Sequence, residues 1–346
     1  IFYLIFCLKN GRIQSMNFEK LYKILEGQPK YRAQQAKDAI FKKLASNWSE
    51  ASNLSKELKE KLNKECPLEI DGQIFASRDT KTTKALITLS DGLQIETVML
   101  SHKDGRHTVC VSTQVGCSLA CAFCATGKLG LKRSLEVGEM LEQVLFFSRI
   151  LNTEGKRVSN VVFMGMGEPF LNYDKTLKTI HYLNEDLVIG ARHISISTSG
   201  VIDGINKLAN EKMQVNLAVS LHAPNDALRS ELMPINKRFP LADLIKAVDK
   251  YIVKTGRRVM FEYLMIKGVN DSPAQAKQLV ELMQKPLYMV NIIAYNPTDV
   301  FLPSDKQAIE KFINILEQAG VAVTQRYSFG QDIDAACGQL ANKNKK

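Results

Sequence analysis

From about residue 108 onward, short β-rich runs alternate with longer stretches of helical spacing, and few folds accept that rhythm. The runs are TVCVSTQ (108–114), NVVFMGM (160–166), HISISTS (193–199), QVNLAVSLH (214–222), RVMFEYLMI (258–266), YMVNIIAYN (288–296) and VAVTQRY (321–327). Strands joined through helices form βαβ units, which assemble a parallel sheet covered by those helices. The expected class is therefore α/β. Six or so units fall short of a closed barrel and predict a partial (β/α)6 barrel, with an open doubly wound sheet as the alternative that periodicity leaves standing. In a barrel, the polar and glycine-rich residues ending each run gather at one rim, where ligand sites form.

Ahead of this series the spacing changes. Phe18, Leu21, Ile24 and Leu25 recur at helical intervals, as do Ile40, Phe41 and Leu44, then Leu54, Leu58 and Leu62. These predict a small helical domain over residues 16–66, stopped by Pro67. ALITLS (85–90) and LQIETVML (93–100) flank Asp91-Gly92, a two-residue hairpin signal, so residues 67–107 read as a hairpin-bearing linker region. Residues 1–15 precede Met16 and are expected to be an extension outside the fold; Lys343 to Lys346 form a basic tail beyond a barrel spanning residues 108–342.

With 45% hydrophobic residues in 346, the chain can bury a substantial core. The longest apolar run, IFYLIFCL (1–8), is too short to cross a bilayer and follows no basic stretch. No membrane association and a cytoplasmic setting are expected. The formal charge is +10, and residues 1–65 hold 13 Lys and Arg against 7 Asp and Glu. A basic appendage fits a polyanion, most simply RNA or DNA, through phosphate contacts; a solvated basic surface gives the same count.

Three of the seven cysteines, Cys117, Cys121 and Cys124, fall in CSLACAFC, in the loop after the first strand of the series and before a helix starting near Glu136. A structural zinc site wants a fourth ligand, usually from a second cysteine or histidine pair, and no such pair is evident. Three thiolates on a tight loop suit an iron–sulfur cluster with one iron left open. Zinc and plain buried cysteines remain the alternatives at this point. Disulfides are not expected for scattered cysteines in the cytoplasm. The run 160–166 leads into MGMGEP, where glycines permit close backbone approach and Glu168 can accept a hydrogen bond from an ammonium group. Ser197 and Ser199, then Ser220, Leu221 and His222, then Asn296 close successive runs and can meet one ligand over the rim.

The Cys-x₃-Cys-x₂-Cys spacing resembles the signature of radical S-adenosylmethionine enzymes. That resemblance implies a [4Fe-4S] cluster on Cys117, Cys121 and Cys124, whose open iron chelates S-adenosylmethionine and cleaves it reductively to a 5′-deoxyadenosyl radical. It implies a cofactor site at Gly167 and Glu168, continued by Ser197, Ser199, Ser220, Leu221, His222 and Asn296. A narrower match follows from QVGCSLACAFCATG, FMGMGEP, ISTSG, SLHAPND and DIDAACGQLA taken together. Over residues 18–342 these resemble the adenine-C2 methyltransferases of 23S ribosomal RNA and transfer RNA, the RlmN family.

The family chemistry answers a real difficulty. Adenine C2 is an electron-poor sp² carbon and cannot attack a sulfonium methyl group. The resemblance implies two molecules of S-adenosylmethionine per turnover: one methylates Cys337, and the other supplies the radical that converts this methyl into a thiomethylene radical, which adds to the ring as a covalent protein–RNA adduct. Glu96 lies on LQIETVML on one face with Val98 and Leu100, and a carboxylate on an apolar face suits proton transfer near neutral pH. Cys110, seven residues before Cys117, is the matching resolving thiol, attacking Cys337 to leave a transient disulfide. An electron donor such as flavodoxin, RNA substrates of both kinds and a monomeric state complete the implication. Two positions depart from the family pattern: Phe329 stands beside Gly330 where an arginine is expected, with Arg326 three positions earlier, and Ala294-Tyr295 replaces Pro-Trp. The alternatives are a related adenine-C8 methyltransferase of the antibiotic-resistance type and a non-catalytic, zinc-stabilised RNA-binding protein. The latter has no use for Glu168, Cys337 and the cysteine triad together.

Overall fold

A computed structural model describes residues 15–298, 300–326 and 329–341. The extension expected over residues 1–15 lies outside the described residues up to residue 14, as does the basic tail. Among the described residues twelve strands form: β1 (Asp71–Ala76), β2 (Thr82–Thr88), β3 (Gln94–Ser101), β4 (His107–Cys110), β5 (Gln114–Gly116), β6 (Leu131–Ser134), β7 (Asn160–Phe163), β8 (Ile194–Thr198), β9 (Asn216–Ser220), β10 (Val259–Met265), β11 (Tyr288–Ala294) and β12 (Val323–Arg326). Ten of them build one sheet in the order β1-β2-β3-β4-β7-β8-β9-β10-β11-β12, while β5 and β6 pair separately.

All seven β-rich runs become strands, and each pairs in parallel with the next, so the parallel series holds seven strands rather than six. β9 and β10 bury nearly every residue, including Leu217, Ala218, Val219, Phe261 and Tyr263, as strands covered on both faces must. The strand order does not close on itself. Leu100 of β3 and Arg326 of β12 nevertheless line one cavity, so the sheet curls into a partial barrel around it.

Residues 67–107 depart from the expected linker. They supply three antiparallel strands that extend the main sheet through β3–β4 pairing, because Val98 to Ser101 meet Cys110 to His107 in register. The turn between β2 and β3 also differs. Leu89 N–H donates to Leu93 O at 2.8 Å, which leaves Ser90, Asp91 and Gly92 in the loop, with Gly92 at φ 82°. A three-residue turn with a left-handed glycine forms in place of the two-residue one.

The N-terminal helices pack as their spacing predicts. Phe18–Leu25 is capped by Asn17, whose side chain accepts from Lys20 N–H at 2.9 Å, and buries Phe18, Leu21, Ile24 and Leu25. Tyr31–Lys37 runs on into a wider turn to Lys42, and Lys56–Glu65 follows from a Ser55 cap. Trp48 sits fully buried among them, its indole N–H donating to Cys66 O at 2.7 Å. This part shares a continuous core with the barrel. Phe18 stacks on Tyr182 at 4.6 Å, Met16 N–H donates to buried Glu142, and Arg149 reaches Leu68 O and Ala45 O at 2.9 and 2.7 Å.

The closest backbone approach is at Gly138 in the helix Val137–Thr153, where a Cβ would stand 1.6 Å from Met16 O. Helix propensity alone favours Gly138→Ala by about 1 kcal/mol. The clash reverses that sign: the substitution is expected to destabilise by about 1–3 kcal/mol, read as a lower urea midpoint at unchanged m-value.

Candidate active site

The residues ending the parallel strands converge on one cavity. It is lined by Cys117, Cys121 and Cys124, by Gly167 and Glu168, by Ser197, Ser199, Ser220 and His222, and by Cys110 and Cys337. Eleven of the fourteen residues singled out in the sequence therefore share a single space. The other three lie behind its wall.

The cysteine loop owes its shape to backbone constraints. Gly116 has φ 77°, and a Cβ there would stand 1.8 Å from Gly130 O, the carbonyl that accepts from Cys117 N–H at 3.1 Å. Ala120 takes the left-handed φ of 49°, Cys124 N–H donates to Cys121 O at 3.1 Å, and Ala122 N–H donates to Leu232 O at 2.9 Å. The helix near Glu136 starts as expected, with Glu136 and Glu139 forming a capping box. Between it and the cysteines come the short helix Ala125–Lys128 and β6, which pairs back with β5 just ahead of Cys117 and so folds the loop back on itself.

A single tetrahedral ion requires its sulfurs at a common distance of about 2.3 Å. A structural zinc site also takes a fourth ligand, and the cysteine loop offers three. A cubane cluster presents a different iron to each of three thiolates and leaves a fourth iron open, and Cys117, Cys121 and Cys124 all line the one cavity. The donor set fits a cluster better than zinc. Burial holds the metal-free thiols protonated, Cys117 at about 11 and Cys121 higher still, so ligation has to expel protons.

Beside the triad, Glu168 is buried and ties two strand ends together. Its carboxylate accepts from Ser199 N–H at 2.7 Å and from Phe170 N–H at 3.1 Å, while its own N–H donates to Gln114 Oε1 at 2.9 Å. Desolvation raises its pKa, and these donors oppose the shift. Gly167, at φ 96°, lies so close to Gln114 that a Cβ would meet its side chain at 2.5 Å. Leu221 does not reach the cavity; its N–H donates to Glu262 O at 3.0 Å. Asn296 is also behind the wall, donating to Cys337 O at 3.2 Å and accepting from Gln331 Nε2 at 2.7 Å.

Glu96 shares a face with Val98 and Leu100 as expected, but that face is not wholly apolar. Lys84 of β2 forms a buried ion pair with it at 2.7 Å, and Ala341 N–H donates to its second oxygen at 2.8 Å. Cys110 and Cys337 are free thiols that both line the cavity. Burial, reinforced by Cys337, pushes Cys110 up to about 12, and the Arg326 charge pulls the other way. Arg326 lies against Met164 Sδ at 3.4 Å, and its own pKa is raised chiefly by Cys337. Phe329 faces the cavity with Lys81 5.9 Å from its ring centroid, and Tyr295 is buried with its hydroxyl 2.7 Å from Thr298 Oγ1.

Sequence reasoning passes over Arg229, Glu262 and Lys84. Arg229 is fully buried and donates to Ser199 O, Ser220 O, Leu221 O and Asn236 Oδ1 at 2.8, 3.0, 3.2 and 2.8 Å. A lone arginine in a short helix carries no sign of such a role. Lys84 is legible in principle, because the hairpin register sets it diagonally across from Glu96.

His222 is a neutral, built-in ring. Its Nδ1 accepts Leu264 N–H at 3.1 Å, which leaves the proton on Nε2, and Phe123 packs edge-on at 4.8 Å. Burial, with the Arg229 charge adding to it, pushes the imidazole from 6.5 down to about 3. The unfolded chain thus binds a proton that the native ring refuses. Stability contributed by this group is full above about pH 6.5 and falls as pH drops towards 3, by about 1.4 kcal/mol per unit. In His222→Asn, the slope of unfolding free energy between about pH 4 and 6 should be shallower than in the parent by about one proton, measured by urea titration.

The Radical SAM superfamily model matches residues 111–280. A probable dual-specificity RNA methyltransferase RlmN of Dictyoglomus thermophilum is 44% identical over 336 residues, covering 95% of this chain and 96% of that protein. Its counterpart in Bacillus licheniformis is 45% identical over 341 residues, covering 96% and 94%. A radical SAM methyltransferase from Sphaerobacter thermophilus of known structure superposes with a TM-score of 0.90 at 43% identity, covering 95% of this chain and 99% of that one. The cysteine loop, the strand-end cavity and this likeness along almost the whole chain agree: the chain belongs to the RlmN family of radical SAM dual-specificity RNA methyltransferases.

Proposed function

We propose that the protein methylates C2 of an adenine in 23S ribosomal RNA and in transfer RNA, through a methylated Cys337 and a covalent protein–RNA adduct. The observation that carries this reading is the presence of Cys110 and Cys337 in the same cavity as the cysteine triad. Cys117, Cys121 and Cys124 would hold a [4Fe-4S] cluster, and Gly167, Glu168, Ser197, Ser199, Ser220 and His222 would hold S-adenosylmethionine. When bound, that pair supplies an electrophilic methyl group and, given an electron from a donor such as flavodoxin, a hydrogen-abstracting radical.

The chain's own groups do the remainder. Cys337 accepts a methyl group as thiolate, losing its proton, with the Arg326 guanidinium nearby. The carbon on Cys337, once made a radical by loss of a hydrogen atom, bonds to adenine C2. Glu96 takes the proton displaced from C2, and the unpaired electron left on the ring passes to a one-electron acceptor, a role the cluster on the triad would fill. The Cys110 thiol attacks Cys337 sulfur and releases its proton, the methylene carbon keeps the C–S bonding pair, takes up a proton and leaves with the base as its methyl group, and a Cys110–Cys337 disulfide remains for reduction. Two molecules of S-adenosylmethionine serve each turnover. The enzyme works as a monomer in the cytoplasm, and the basic N-terminal helices bind the RNA backbone.

Anaerobically purified protein should be brown with about four irons and four sulfides per chain, and alanine at any residue of the triad should abolish both. RNA digested after incubation with S-adenosylmethionine and a reductant should contain 2-methyladenosine; 8-methyladenosine would redirect the regiochemistry, and zinc without iron would overturn the radical reading. Cys110→Ala should accumulate protein crosslinked to RNA on denaturing gels, sensitive to ribonuclease. Cys337→Ala and the double variant should give neither crosslink nor product, because no thiomethylene forms.

The N-terminal helices share the barrel's core, so charge substitution tests their role better than deletion. Lys20, Lys23, Lys56 and Lys61 are exposed. Glutamine at all four should weaken RNA binding uniformly across sequences and flatten the salt dependence by about 0.7–0.9 for each phosphate these lysines neutralise. Unchanged affinity and slope would make this charge a solvated surface only.

A further inference from the structure

The strands β1–β3 carry none of the triad cysteines, yet a charged pair is buried on their inner face. Lys84 Nζ lies 2.7 Å from Glu96 Oε1, with the two side chains 4% and 2% exposed. Lys84 also sits 5.4 Å from the centroid of the Phe75 ring on β1. Burying two charges is costly, and it is repaid only where the remaining polar valences are used. Here the second carboxylate oxygen accepts Ala341 N–H at 2.8 Å.

Ala341 belongs to the segment that carries Cys337, and β1–β3 touches that segment twice more. Asp332 Oδ2 accepts Arg78 N–H at 2.9 Å, and Gly330 packs on Thr82 so closely that a Cβ would stand 2.5 Å from Thr82 Cγ2. The opposite wall holds the same segment through Ala125 N–H to Gly338 O at 2.8 Å and Thr126 Oγ1 to Leu340 O at 2.6 Å.

We propose that β1–β3 is the docking platform of the Cys337 loop and that Lys84 is its positioning residue, neutralising Glu96 so that the carboxylate can hold Ala341. Glu96 then has two separable duties: it accepts the Ala341 N–H, and, in the methylation mechanism proposed above, it takes a proton from the substrate. The docking role does not depend on that mechanism; the effect of docking on methylation does.

The test reads the rate at which iodoacetamide alkylates Cys337 in anaerobically purified, cluster-bearing protein, by peptide mass spectrometry, with Cys66 as internal reference. Cys66 is 1% exposed in the N-terminal core, so it reports global opening. Lys84→Met leaves a buried carboxylate without its counter-charge and should speed Cys337 alkylation on the order of tenfold or more, with Cys66 unchanged and 2-methyladenosine formation reduced. In Lys84→Met/Glu96→Gln no charge is stranded and the amide oxygen can still accept from Ala341. Cys337 should return to its slow rate while methylation, without the Glu96 carboxylate, is lost. Equal Cys337 rates in the parent and Lys84→Met, parallel acceleration of Cys66 and Cys337, or no recovery in the double variant would each overturn the docking role. Recovered protection together with full methylation in the double variant would leave docking standing and overturn Glu96 as the base.

Discussion

One buried guanidinium fixes the geometry on which the rest of the site depends. Arg229 gathers the carbonyls of Ser199, Ser220 and Leu221, the outgoing ends of β8 and β9, and is itself held by Asn236. Glu168 continues the tie to the end of β7 through Ser199 N–H. Three successive strand ends are thereby set at fixed distances. The main-chain polar groups are used against one another, and the serine side chains and the His222 ring remain to face the cavity. An arginine without water pays for its desolvation only with a full set of acceptors, and here all three of its nitrogens find them.

The cysteine chemistry sits at the two ends of the chain of strands. Cys110 ends β4, the first parallel strand, and Cys337 follows β12, the last. In a flat sheet these would lie far apart. Curling of the sheet brings them to one cavity, and the Cys337 segment completes the barrel where no further strand pairs. The antiparallel strands β1–β3 matter for the same reason: they prolong the sheet beyond β4 and give the returning segment a surface to rest on.

Much of this is legible in the sequence because the signals are periodic or closely spaced. The seven β-rich runs mark the parallel strands, and the cysteine triad marks the loop after the first of them. What escapes is long-range pairing. β1 goes unseen because DGQIFA has a glycine, an acid and an amide among only six residues, and its order comes from its partner β2. The turn at Ser90 to Gly92 reads one residue short because Asp-Gly is equally at home in the three-residue form. Arg229 reads as a surface residue of a short helix, and Leu221 and Asn296 act through backbone and loop contacts that no motif reveals.

The two departures from the family pattern can be weighed by what surrounds them. Tyr295 fills an interior position, 2% exposed, and its hydroxyl is satisfied by Thr298 through both the side chain and the N–H at 2.7 and 3.1 Å. A buried tyrosine with its polar end paired costs the fold little. Phe329 differs in kind, because it presents a ring to the cavity where the pattern calls for a charge. The cation at that edge is Lys81 instead, 5.9 Å from the ring centroid, so positive charge is kept at the rim but comes from β2's leading turn and not from the Cys337 loop. Arg326, which interacts with both Cys110 and Cys337, is the charge that the loop's own strand supplies. The site therefore draws its positive charge from two sources: Lys81, beside Phe329, from the antiparallel strands, and Arg326, near the two thiols, from the parallel ones.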